Sequence, residues 1–147
     1  MRYKHINLVA NDWRKLARFY QAVFRCQPVP PQRNLSGKWL DEGTGLVGAA
    51  IQGIHLRLQG GGDNGPTLEI FQYDRSEPRP PPCANRQGFG HIAFEVDEVA
   101  AALRAVIDHG GHTVGQVATH CVDGVGLLTF VYVTDPEGNM IELQHWA

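Results

Sequence analysis

His5-Ile6-Asn7-Leu8-Val9 opens the chain, and His91-Ile92-Ala93-Phe94-Glu95-Val96 echoes it in the second half. A second echo closes each half: Pro66-Thr67-Leu68-Glu69-Ile70-Phe71-Gln72 against Asn139-Met140-Ile141-Glu142-Leu143-Gln144. Apolar residues at alternate or nearly continuous positions mark all four as strands. Turn-forming stretches precede the closing pair, Gly60 to Gly65 in one half and Asp135-Pro136-Glu137-Gly138 in the other. Matching strands at matching places describe a duplicated chain.

Each opening strand leads into a helical pattern. After Asn11 or Asp12, either able to cap, Leu16, Phe19, Tyr20, Val23 and Phe24 fall on one stripe. From Asp97 to His109, Val99, Leu103, Val106 and Ile107 form the second stripe, and Gly110-Gly111 ends it. Further strands are expected near Trp39-Leu40, Gly45 to Leu58 and Thr67 to Tyr73. In the second half they are expected near His112 to Val117, Val125 to Thr134 and Asn139 to His145. The segment Pro30 to Leu40 reads as a loop over the pocket.

The order is β-α-β-β-β twice, an α+β fold. A single domain, 1–147, is expected, made of modules 1–74 and 88–147 joined by a Pro-rich linker, 75–87, which carries Pro78, Pro80, Pro81 and Pro82.

Composition narrows the function. The chain has 147 residues, a formal net charge of −2 and a pI near 6.4, without the concentrated basic face that nucleic acid or an anionic membrane requires. No apolar run approaches the roughly 20 residues that span a bilayer, and the N-terminus has no signal-peptide core. A cytoplasmic protein acting on a small molecule is expected. Cys26, Cys83 and Cys121 lie far apart and read as reduced thiols. Open strand edges favour a homodimer.

Duplication puts His5 where His91 stands, and Glu69 where Glu142 stands. If the halves pack about a pseudo-twofold axis, all four side chains converge. Two imidazoles and two carboxylates suit a borderline divalent ion and leave two cis positions open. Taken singly, a strand His is more often a core or edge residue, and Glu69 between Leu68 and Ile70 could simply face solvent. The pair repeated at matching positions favours the metal reading, and a buried carboxylate needs a partner. Candidate substrate contacts are Arg57 and His55 on one strand face, Trp39 in the loop segment, and His120; a solvated face explains Arg57 equally well. His109 and His112 at a helix end read as structural, and His145 points away from Glu142.

Gly90-His91-Ile92-Ala93-Phe94, Thr134-Asp135-Pro136-Glu137-Gly138-Asn139-Met140-Ile141-Glu142-Leu143 and the duplication together resemble the vicinal oxygen chelate superfamily. That group includes glyoxalase I, methylmalonyl-CoA epimerase, extradiol dioxygenases and the bleomycin and fosfomycin resistance proteins. The resemblance implies two tandem modules forming a curved mixed sheet around a metal cleft. It also implies a divalent ion (Ni, Co, Zn, Mn or Fe) held by His5, Glu69, His91 and Glu142. The His-Glu-His-Glu set is most similar to bacterial glyoxalase I, a lyase or isomerase. In such enzymes the metal binds vicinal substrate oxygens and a proton moves through an enediolate, here by way of Glu142 or Glu69. The alternatives are an acyl-CoA epimerase, an extradiol-type dioxygenase and a non-catalytic binding protein. Where the glyoxalase pattern has Arg four residues after the first His and Asn four after the first Glu, this chain has Val9 and Tyr73. A substrate other than the glutathione hemithioacetal is therefore expected.

Overall fold

The structure is a computed structural model describing residues 1–147. The chain divides between Arg79 and Pro80 into two compact units. The first contains β1 (His5–Val9), α1 (Trp13–Phe24), β2 (Gln27–Ser36), α2 (Lys38–Thr44), β3 (Ala50–Arg57) and β4 (Thr67–Tyr73). Its sheet runs β1-β4-β3-β2, with β1 parallel to β4 and the other pairs antiparallel. The second contains β5 (Ile92–Glu95), α3 (Val99–Asp108), β6 (His112–Thr113), β7 (Ala118–Val122), β8 (Gly126–Thr134) and β9 (Met140–Trp146). Its sheet runs β5-β9-β8-β6, with β7 also paired to β8 and β5 parallel to β9. The α+β class, with mixed strand orientation, is as expected.

In the first unit the Asp12 carboxylate accepts the Lys15 N–H at 3.0 Å and so starts α1. The helix buries Leu16, Phe19, Tyr20 and Phe24 and packs on β3 and β4, where Leu56, Leu68 and Ile70 are fully buried. Strand alternation then sends Glu69 to the opposite face. That face has a smaller apolar cluster of its own, in which Leu40 of α2 packs with Ala49, Ile51 and Phe71. Burying one such leucine contributes about 1.5–3 kcal/mol, and Leu68→Ala would cost about 2–5 kcal/mol through transfer and cavity.

Two expectations are corrected here. The expected loop from Pro30 to Leu40 is taken up to Ser36 by β2, a strand that runs through prolines because β2 is an edge and an edge tolerates Pro28, Pro30 and Pro31. Trp39 and Leu40 belong to α2 rather than to a strand. The Asp41 carboxylate accepts from the Gly48 and Ala49 N–H groups at 2.9 and 2.8 Å, so the following strand starts only at Ala50.

In the second unit Glu98, one residue past the expected cap, accepts from the Ala100 and Ala101 N–H groups and starts α3. Ile107, expected on the buried stripe, is exposed, whereas Val99 and Val106 are buried. The strand expected at 112–117 stops after Thr113. The Val114 and Gly115 N–H groups share the Tyr132 carbonyl, an irregularity that ends the ladder. An unexpected strand, β7, then pairs with β8 through a tight turn at Asp123-Gly124-Val125.

The turn into β9 is organised by Asp135, which is fully buried. Its Oδ1 accepts the Glu137 and Asn139 N–H groups, both at 2.9 Å, and its Oδ2 accepts Asn139 Nδ2 at 2.6 Å. Gly138, at φ +79°, supplies the left-handed step that closes the turn. The β8–β9 register that follows pairs Thr134 with Met140 and Tyr132 with Glu142.

Candidate metal centre

Register assembles the first cluster. Asn7 on β1 and His55 on β3 both lie opposite Glu69 on β4, and His5 sits two residues before Asn7 on the same face. Glu69 Oε1 is 2.8 Å from His55 Nε2. Glu69 Oε2 accepts Asn7 Nδ2 at 2.8 Å and lies 3.7 Å from His5 Nε2. The other ring nitrogen of His55 is 2.9 Å from Thr67 Oγ1, which orients the imidazole. The two imidazoles meet edge to face, with centroids 5.6 Å apart. Burial holds the His55 pKa below its ordinary value; the Glu69 carboxylate pulls it up, while the charge of Arg33 and His5 push it further down. A neutral imidazole is the ligand form.

The second unit repeats the pair at the equivalent strand positions. His91 Nε2 lies 3.0 Å from Glu142 Oε2. Ala93 and Tyr132 flank Glu142 in register, where Asn7 and His55 flank Glu69, and the Tyr132 ring stands 5.0 Å from the His91 ring. The two carboxylates therefore differ. Glu69 is bound through both oxygens, whereas Glu142 is engaged only through Oε2.

The donor chemistry fits a divalent ion. His5, His55 and Glu69 present two nitrogens and an oxygen that all lie within 4.8 Å of one another. Two donors about 2.1 Å from one ion and at right angles around it stand about 3.0 Å apart. The His55–Glu69 and His91–Glu142 separations are close to that spacing.

The remaining candidates are placed as follows. Arg57 donates to the Gly62 and Asp63 carbonyls and so holds the turn at 60–65. Trp39 is exposed on α2 and His120 is exposed on β7. His109 bonds the Ala105 carbonyl at 2.8 Å, and His145 bonds the Val96 carbonyl at 3.0 Å. Sequence reasoning missed Asn7 and Tyr132. Asn7 was signalled by its place two residues after His5; Tyr132 needs the β8–β9 register, which no short-range pattern gives.

Comparison with known proteins adds the family. The model described as Glyoxalase/Bleomycin resistance protein/Dioxygenase superfamily matches residues 2–143. No curated protein matches the chain. Among solved structures, a glyoxalase family protein from Bacillus cereus is similar at 17% identity and TM-score 0.76, covering 99% of this chain and 93% of that one. A glyoxalase-related enzyme from Fulvimarina pelagi is similar at 20% identity and TM-score 0.61, over 99% and 88%. A glyoxalase/bleomycin resistance protein from Albidiferax ferrireducens is similar at 19% and 0.60, over 97% and 98%. At these identities the likeness is one of fold.

Proposed function

Since the chain belongs to the glyoxalase/bleomycin resistance protein/dioxygenase superfamily, we propose that it is a divalent-metal-dependent lyase or isomerase that moves a proton beside a carbonyl. The observation that carries this reading is the His–Glu pair present in both units at equivalent strand positions, at 3.7 Å and 3.0 Å. His5 and Glu69 are proposed as a ligand pair of the first unit, with His55 a further donor beside them, and His91 and Glu142 as the equivalent pair of the second. When bound, a divalent ion supplies Lewis-acid polarisation of adjacent substrate oxygens.

The chain's own groups divide the remaining work. Asn7 and His55 hold both oxygens of Glu69, which suits a fixed anchoring role. Glu142 keeps Oε1 without a protein partner and is the carboxylate able to take a proton from substrate carbon. The other oxygen, Oε2, stands beside His91 Nε2 as its fellow metal donor, so the free one has a defined direction.

The test is Glu142→Gln, with Glu69→Gln beside it. Metal per chain is measured on protein purified without chelator, and proton exchange is followed in heavy water over a panel of hydroxy-ketone, 2-oxoaldehyde and acyl-thioester substrates. Glu142→Gln should lose about 10²–10⁴-fold in turnover. A metal-free wild type, or full exchange in Glu142→Gln, overturns the reading.

A second reading rests on His55. Two imidazoles and one carboxylate within one unit form the donor set of non-haem iron oxygenases. Iron-dependent oxygen uptake with a catechol would select it over proton transfer.

A further inference from the structure

We infer that the face of the second sheet carrying Leu128, Phe130 and Trp146 holds the body of the substrate, and that this body is an uncharged aromatic group. The inference deepens the reading above and rests on it for the place of the reacting carbon, beside Glu142. It starts from register. Tyr132 lies opposite Glu142; two residues on, Phe130 lies opposite Gln144; two further on, Leu128 lies between Trp146 and His120. Strand alternation puts all of these on the face that carries the His91–Glu142 pair. The two rows stand roughly 7 and 13 Å along the strand from Glu142.

The two units treat this face differently. In the first, α2 covers it: Leu40 packs with Ile51 and Phe71, and all three are buried. In the second, β7 stands where α2 does in chain order, and Ala118 to Cys121 are all exposed, so β7 widens the sheet without covering it. The unit's one helix, α3, packs on the other face, where Val131, Val133, Ile141 and Leu143 are fully buried. Leu128, Phe130 and Trp146 are left partly exposed.

Ring contacts tie this strip to the pair. The Tyr132 ring stands 5.0 Å from the His91 ring and meets Phe130 edge to face, with centroids 5.7 Å apart. An aromatic ring laid against Phe130 gains both burial and ring contact. A short carbonyl chain on that ring then runs one row back, towards Glu142 and its unpartnered Oε1.

Charge decides against an acid. The second unit's only Lys or Arg side chains are Arg86, which donates to the Pro81 carbonyl, and Arg104, which lies 3.8 Å from Glu98. Glu95, on β5, lies opposite Gln144 in the Phe130 row. An anionic body would meet the Glu95 and Glu142 carboxylates with no lysine or arginine to offset them.

The experiment titrates chelator-treated, full-length protein by calorimetry and by backbone and indole NMR. The probes are 2-hydroxyacetophenone, hydroxyacetone, which lacks the ring, and benzoylformate, which carries ring and charge. Wild type should bind 2-hydroxyacetophenone at least tenfold more tightly than either of the others, with shifts centred on Leu128, Phe130 and Trp146. Phe130→Ala should abolish the preference over hydroxyacetone, and Phe130→Tyr should keep it. No binding, or equal binding, of the two ketones by wild type overturns the inference, as does a preference that survives in Phe130→Ala. Benzoylformate bound as tightly as 2-hydroxyacetophenone overturns the uncharged half. If Phe130→Ala does not fold, the wild-type shift map decides: shifts centred elsewhere overturn it. A second copy closing the strip would move the Leu128 and Trp146 signals with protein concentration and not with ketone, and that result also overturns it. No metal or turnover enters this titration, so its failure and the failure of the metal reading are separate results.

Discussion

Replacing Asp135 by Ala removes the acceptor at the centre of the turn that feeds β9. The carboxylate is fully buried and accepts three hydrogen bonds, from two backbone N–H groups and one carboxamide. A hydrogen bond to a charged group contributes about 1.5–3 kcal/mol. Three independent ones would give about 4.5–9 kcal/mol, but these share one acceptor and are not additive. The substitution leaves the two N–H groups to find water or shift, so the expected loss is about 3–5 kcal/mol. Against a total of roughly 5–15 kcal/mol for a small protein, that is a large fraction. Urea unfolding followed by tryptophan fluorescence should show a midpoint lower by about 1.5–2.5 M, for a slope of about 2 kcal/mol per molar. Asp135→Asn keeps Oδ1 but turns an amide donor towards the Asn139 amide, so it should fall between wild type and Ala. A loss below about 1 kcal/mol in the Ala variant, with an unchanged slope, would refute the claim that this carboxylate organises the turn.

Gly53→Ala should destabilise the first unit by about 1–3 kcal/mol, since its methyl has no room against Phe71 and Ile70; a melting temperature within a degree of wild type would contradict that. Adding metal at a hundredfold excess over its dissociation constant should stabilise the protein by about 2.7 kcal/mol. His5→Ala should forfeit most of this gain in a thermal melt, and an undiminished gain would remove His5 from the ligand set. Burial pushes the Cys26 thiol up to about 11, so it should resist a thiol reagent in native protein while the exposed Cys83 and Cys121 react. The folded state keeps the Cys26 proton after the unfolded state has lost it. This contribution, about 2–3 kcal/mol, is therefore intact below pH 9 and lost as pH rises towards 11. Rising stability across that range in Cys26→Ala-corrected data would show the sign to be wrong.

Much of this arrangement was legible from residue order because duplication supplies an internal comparison. His5 and His91, Glu69 and Glu142 declare themselves by recurring. Stripes at helical spacing located α1 and α3, although Ile107 shows that an apolar residue in the stripe need not be buried. What stayed hidden is cross-strand. His55 read as a substrate contact because nothing local says that β3 lies beside β4 in the register that sets it against Glu69. Tyr132 was invisible for the same reason. β2 was missed because three prolines in five residues argue against a strand unless its place at the sheet edge is known.

Those prolines also affect how the protein behaves in a crowded solution. A sheet edge with a full set of N–H donors is a template on which another chain can crystallise its own strand, and repeated pairing of that kind seeds insoluble fibres. Positions 28, 30 and 31 have no N–H to offer. The outer margin of the first sheet thus presents an interrupted ladder that an incoming strand cannot extend along its length. Substituting alanines at these three positions would restore the donors, and with them a growth point for aggregation.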